Sequence, residues 1–139
     1  KVKISVLPKG FGCENKTQLK MLKPTAGPKE VKGFIVDSVR TAGPDACPPY
    51  VVGVGIGGTA DYACLLAKKA LLKKLNTAQA GFESALLKEI NRLKIGPMGL
   101  GGKTTCLAVK VIKAPTHIAG LPVCVCISCH ALRSAEVII

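Results

Sequence analysis

The sequence has no tryptophan, two tyrosines and three phenylalanines, so aromatic residues make up only 4% of its 139 positions. A core must therefore come from Val, Ile, Leu and Ala, and the 48% hydrophobic content allows one. No basic stretch is interleaved with aromatic residues, and no nucleic-acid module is recognisable. Acidic residues are also scarce, 8 against 20 Lys and Arg. They are too few and too scattered for the paired carboxylates of a glycosidase. No Ser-His-Asp order is readable. The longest apolar runs are broken by Gly, Lys or Pro, which excludes a transmembrane helix. No basic segment followed by a long apolar one opens the chain. Seven cysteines cannot all pair within the chain. These absences point to a reducing, cytoplasmic setting, where clustered cysteines serve metal or redox chemistry.

The formal net charge is +12. A basic balance raises the prior for nucleic acid, a membrane surface or small anions. The pairs Lys68-Lys69 and Lys73-Lys74 fall near the end of an expected helix, where cations complement the helix dipole. They read as a solvated face, which weakens the nucleic-acid reading.

Strands and helices alternate along the chain. Residues 2–7 alternate apolar and polar and read as a strand, followed by a loop over 8–15. A short helical piece is expected around 18–22, ended by Pro24 and Gly27-Pro28. Val31, Phe34, Ile35 and Val39 keep helical spacing, with Pro28 at the entry and Gly43-Pro44 at the exit. Residues 50–56 are apolar and uncharged, as a strand buried on both faces requires. Helices are expected over about 60–75 and about 82–93, joined by a connection over 76–80. Strands are expected over 105–112 and 122–128, with little room for a further element before Ile139. The expectation is one layered α/β domain over 1–139, with a mixed or mostly parallel sheet and flanking helices.

Several groups could carry chemistry. Gly53, Gly55 and Gly58 satisfy the dinucleotide spacing between a strand and a helix. The fingerprint also requires an acidic residue closing a second strand about 20 residues on. Here another helix follows, so close backbone packing is the favoured reading, with an anion at the helix N-terminus as an intermediate one. Cys124, Cys126 and Cys129 form C-x-C-x-x-C, but Cys124 and Cys126 lie two apart in an apolar strand and share a face. They read as core, as do Cys64 and Cys106. Cys129 ends the strand where polar residues begin and is the better ligand candidate. Cys47, in Gly43-Pro44-Asp45-Ala46-Cys47-Pro48-Pro49, is equally placed at an element boundary. Between the two lies the glycine-dense stretch 96–105. His117 follows Pro115-Thr116 in a loop, where a histidine with no special role is common; these neighbours with the 96–105 loop make a site role an equal alternative. Lys9, Glu14 and Asn15 are loop polars for which simple exposure is the alternative, favoured for Lys9. Cys13 could be a metal ligand or a small filler in a tight loop, and the filler reading is better supported because nothing else near it looks like a site partner.

In combination these motifs resemble the alpha part of the iron–sulfur (class I) fumarate hydratases and L(+)-tartrate dehydratases. The resemblance runs through residues 9–15, where the family usually shows Lys-Gly-Gly-Gly-Ser-Glu-Asn, then 19–24, 47–49, 52–59, 67–71, 90–91 and 95–102. It ends with His117-Ile118-Ala119, Leu121-Pro122-Val123 and Cys129. It implies a hydro-lyase acting on a dicarboxylate, fumarate/malate or tartrate/oxaloacetate. It also implies a four-iron, four-sulfur (4Fe-4S) cluster whose open iron acts as a Lewis acid. By resemblance, Cys47 and Cys129 match two of three cluster cysteines, and His117 matches a histidine near the substrate. Gly10, Phe11 and Gly12 match the turn that approaches the dicarboxylate, although Phe11 and Cys13 depart from the family pattern. The family's first cluster cysteine lies upstream of this segment. A beta subunit or beta domain carries further site residues, within an oligomer. The chain is thus expected to be the C-terminal half of an alpha part, inactive alone. The other expectations are a non-catalytic scaffold fragment and, behind it, nucleotide binding at Gly53, Gly55 and Gly58.

Overall fold

Residues 1–75, 79 and 81–139 are described in the computed structural model. Their strands are β1 (Lys3–Val6), β2 (Gln18–Leu22), β3 (Tyr50–Gly58), β4 (Cys106–Thr116), β5 (Leu121–Ser128) and β6 (Ala135–Ile138). Their helices are α1 (Phe11–Glu14), α2 (Pro28–Ala42), α3 (Ala60–Ala70) and α4 (Gly81–Asn91), with a 3-10 turn at Pro97–Gly99. The connection expected over 76–80 falls largely outside the described residues.

β3 is the axis of the molecule. It pairs with β4 in parallel and with β5 in antiparallel, and β2 adds antiparallel to β5. The sheet order β2-β5-β3-β4 is therefore mixed, one of the two expected arrangements. Alternation divides β3 between two cores. Tyr50, Val52, Val54 and Ile56 join Val123, Val125 and Ile127 under α2 and α4. Val51 joins Cys124 and Cys126 under α3. That both faces are covered explains why β3 carries no charge. Ile35, Val39, Leu86 and Ile90 are fully buried on the first face, and each such side chain contributes roughly 1.5–3 kcal/mol.

α3 lies unusually close to β3. A Cβ on Gly53 would sit 2.2 Å from Ala67 O, and one on Gly55 2.0 Å from Ala63 O. The space above these glycines is thus filled by helix backbone, as the packing reading expects, and a dinucleotide has no room there. Gly58 does need its freedom, with φ of +72° and Tyr62 against it.

The outer margin of β4 is closed by side chains. Val111 N–H donates to Glu83 Oε1 at 2.7 Å and Val109 N–H to Gln79 Oε1 at 3.5 Å. Asn91 Oδ1 accepts from both Thr105 N and Cys106 N at 2.8 Å. No helix among the described residues is long and apolar enough to cross a membrane.

Three expectations are corrected. Residues 18–22 form strand β2 and not a helix, because pairing with β5 overrides the helix propensity of Gln-Leu-Lys-Met-Leu. The 8–15 loop contains the short helix α1. The C-terminal residues form β6, which pairs with β1 in a separate two-stranded ribbon.

Candidate functional site

The end of the sheet where β3 starts and β5 finishes is built by three segments. α2 stops at Gly43, whose φ of +54° suits glycine. The chain then turns through residues 44–49 and enters β3 at Tyr50. The Tyr50 hydroxyl donates to Gly43 O, fixing both ends of the turn. Burial pushes that phenol up to about 12. Cys47 sits on the turn, exposed, with φ of +55°, a strained backbone for a non-glycine residue.

The other two segments pack on this turn. Met98 N donates to Pro48 O at 2.9 Å, so the 96–102 loop braces it from one side. The glycines of that loop have a specific cause: a Cβ on Gly96 would sit 1.7 Å from Gly101 O, and one on Gly99 2.4 Å from Pro44 Cβ. Thr105 Oγ1 ties the loop to β4 by accepting from Ile95 N at 3.0 Å. From the other side comes α1. Cys13 Sγ donates to Ala46 O at 3.4 Å, and Lys16 Nζ pairs with Asp45 at 2.6 Å.

Antiparallel pairing of Val51 with Ser128 delivers Cys129 to the same end. His130 Nδ1 lies 3.2 Å from Cys47 O, linking the two cysteine segments directly. Cys129 is half-buried and packs against the core that contains Cys13. Burial, then the charge of Cys129, raises the Cys13 thiol above its ordinary value. Cys13 is the filler expected, at 5% exposure, but it does have a site neighbour, and that expectation is corrected.

Gly10, Phe11 and Gly12 stand at the same end. A Cβ on Gly12 would lie 3.9 Å from Asp45 O, and Phe11 is 82% exposed. Lys9 is not the exposed loop residue favoured from sequence. Its side chain is 10% exposed and pairs with Glu14 at 3.0 Å. Lys68 holds the other Glu14 oxygen at 2.6 Å, and the two lysines, Lys68 first, pull the Glu14 carboxyl below its ordinary range. A hollow lined by Lys3, Lys9, Phe11, Glu14, Lys68 and Lys69 opens beside them.

His117 is elsewhere. Thr116 pairs with Gly58 at the far end of β3, and β5 begins there at Leu121. The length of β5, roughly 25 Å, separates His117 from Cys129. His117 is exposed, with Nδ1 accepting from Ala119 N at 3.1 Å. The 96–105 loop, expected as its company, lies against Cys47 instead.

The sulfur end thus holds Cys47, Cys129 and Cys13, backed by Asn91, Thr105, Tyr50 and His130. Among the described residues, no three of His, Cys, Asp or Glu are gathered as a metal-binding set. Iron–sulfur clusters are held by several thiolates, and the exposed Cys47 and half-buried Cys129 would supply only some of such a set.

Comparison with known proteins decides what kind of protein carries this arrangement. The profile of the fumarate hydratase (Fumerase) family matches residues 1–138. The chain belongs to the fumarate hydratase (Fumerase) family. Within curated proteins it is 50% identical, over 96% of its length, to the "Putative L(+)-tartrate dehydratase subunit alpha" of Methanocaldococcus jannaschii, covering 49% of that protein. It is 33% identical, over 98% of its length, to the L(+)-tartrate dehydratase subunit alpha of Escherichia coli strain K12, covering 46% of it. The chain therefore spans about half the length of the curated relatives it matches. Family membership gives the convergence of Cys47, Cys129 and the Gly10–Gly12 turn a chemical context that geometry alone does not.

Proposed function

We propose that this chain is the C-terminal half of the alpha part of an iron–sulfur hydro-lyase, which adds or removes water on a dicarboxylate such as fumarate/malate or tartrate/oxaloacetate. The observation that carries the reading is the meeting of Cys47 and Cys129 at one end of the sheet, joined by His130, in a chain of this family. Cys47 and Cys129 are two of the ligands of a 4Fe-4S cluster, and a third comes from protein outside this segment. When bound, the cluster supplies a Lewis acid that polarises the C–O bond of a hydroxy acid.

The chain's own residues bind and orient. Strain at Cys47 and the bracing by residues 96–102 hold one thiol outward, while the end of β5 presents the other. The backbone of Gly10, Phe11 and Gly12 approaches the substrate, and the lysine-rich surface beside it attracts a dianion. Any part His117 plays in turnover is played away from the cysteine end of its own chain. A beta subunit or beta domain completes the site in an oligomer, in the cytoplasm. Alone, the chain is inactive.

The test is anaerobic reconstitution with iron and sulfide, with and without the upstream alpha segment and a beta partner, followed by a fumarate hydration assay. Cluster and activity should appear only in the combined sample. Cys47→Ala in the complete assembly should abolish cluster retention; normal iron content in that variant would sink the ligand assignment.

A further inference from the structure

The reading above gives the β1–β6 ribbon no task, and its two faces differ. Antiparallel register sets Ile4 opposite Val137 and Val6 opposite Ala135. Val2 and Ile139 extend the ladder by exchanging both backbone hydrogen bonds, at 2.6 and 2.9 Å. Directly opposed residues share a face, so these six apolar residues stand on one side. The other side carries Lys3, Ser5 and Glu136. The Lys3–Glu136 ion pair at 3.0 Å and the Ser5 hydroxyl donating to Glu136 at 3.0 Å join them. These three line a hollow shared with Lys69 of α3 and with Leu72 and Lys73 beyond it. In a sheet with one wet face, the apolar side normally packs inward and the polar side meets water. Here the polar side is turned to the body of the protein. The apolar side is left in water, with Val2, Ile4, Val6, Val137 and Ile139 between 44% and 71% exposed. A two-stranded ribbon is marginally stable by itself, so a cover on this face is what it lacks.

We propose that this face is the seat of the remaining part of the alpha polypeptide, which lays an aliphatic stripe across it. Size selects this occupant. The six residues leave on the order of 400 Å² of apolar surface open, half of the roughly 800 Å² per partner that a stable interface between separate proteins buries. That is too little to hold a second copy or an independent subunit by itself. A segment of the same polypeptide is held by its tether at an effective concentration of about a millimolar, so a small contact suffices. Relatives have the length for such a segment. The stretch they share with this chain is 49% of one alpha subunit and 46% of another. The face itself carries no charge, so the occupant meets it with aliphatic side chains, as an amphipathic helix or strand supplies. The proposal rests on the reading of this chain as half of an alpha part; it does not depend on a cluster.

The experiment compares amide hydrogen exchange of residues 2–6 and 135–139 in this chain and in the complete alpha polypeptide, both metal-free, at two protein concentrations. In the complete polypeptide these amides should exchange at least roughly tenfold more slowly than in this chain, at either concentration. Equal exchange in the two proteins would overturn the proposal. So would slowing in this chain that grows with concentration, which means a second copy, or slowing that needs the beta part. Ile4→Lys should leave this chain's urea midpoint unchanged, because the side chain is already in water, and should lower that of the complete polypeptide. An equal shift in both would also count against the docked segment. The parent exchange data decide the matter even if the variant fails to fold. Iron content after reconstitution separates the two readings. A cluster in an assembly whose ribbon stays unprotected sinks the docking alone, whereas a protected ribbon without a cluster sinks the iron–sulfur reading and leaves the docking standing.

Discussion

Replacing Gly55 by alanine tests how α3 is seated. The added methyl would sit 2.0 Å from Ala63 O, 2.7 Å from Ala67 N and 2.9 Å from Leu66 Cβ. Two of these are backbone atoms of a helix, so no side-chain rotation relieves the clash. α3 must retreat by about 1 Å or β3 must buckle, and overpacking of this kind costs typically 1–3 kcal/mol, here at the upper end. Retreat also loosens Ala63 and Ala67, both fully buried against the sheet. Gly33→Ala is the matched control. Gly33 lies inside α2, is exposed and has nothing within 4 Å of its Cβ position. There the same change should stabilise by about 0.5–1 kcal/mol, because glycine is a poor helix former. Urea unfolding followed by circular dichroism would place the two variants about 3.5–4 kcal/mol apart, on opposite sides of the parent. A Gly55→Ala midpoint equal to the parent's would refute the close-packing argument and reopen the glycine motif to a ligand reading.

Three further outcomes are expected. Alkylation at pH 8 should modify exposed Cys47 first; Cys106, pushed up to about 12 by burial, has roughly a thousandfold less thiolate than an ordinary cysteine, and labelling of Cys106 at the Cys47 rate would contradict this. Asn91→Ala leaves the Thr105 and Cys106 amides without their acceptor and should cost about 2–3 kcal/mol of unfolding free energy, measured by thermal or urea melts. Glu14 has a folded value below its ordinary 4.5, so its contribution is present above that pH and lost as the pH falls through the folded value. Glu14→Gln should remove about 1 kcal/mol at pH 7, after solvent screening of the partly exposed pair, and flatten the acid limb of the stability profile; an unchanged limb would count against the Lys9–Glu14–Lys68 network.

What the sequence reveals of this molecule follows the range of the forces involved. β3 and α2 are legible because their burial is written in local composition and period, and α3 is legible apart from its end, which comes at Ala70. β2 is not legible, since its five residues favour a helix and its strand state depends on β5, a hundred residues away. β1 is read as a strand, yet its partner β6 is not, because each of these four-residue strands is stabilised mainly by the other. At the site, Cys47 and Cys129 stand out because each abuts an element boundary. Cys13 does not, because its neighbour Cys129 becomes a neighbour only through the antiparallel run of β5. The same strand direction separates His117 from the cysteines, which sequence spacing cannot show. Asn91 and Thr105 look ordinary in sequence, and only their tie between the α4 end, the 96–102 loop and β4 reveals them as supports.

The side chains that occupy the β4 margin have a consequence for how this protein can meet copies of itself. A bare strand edge is a template on which another chain can continue the sheet. Here Glu83 and Asn91 already hold amides that such a chain would need, and Lys73 holds Val111 O at 2.7 Å. Ordered growth by strand addition is blocked in that direction, so fibril-like stacking through β4 would first require α4 to detach.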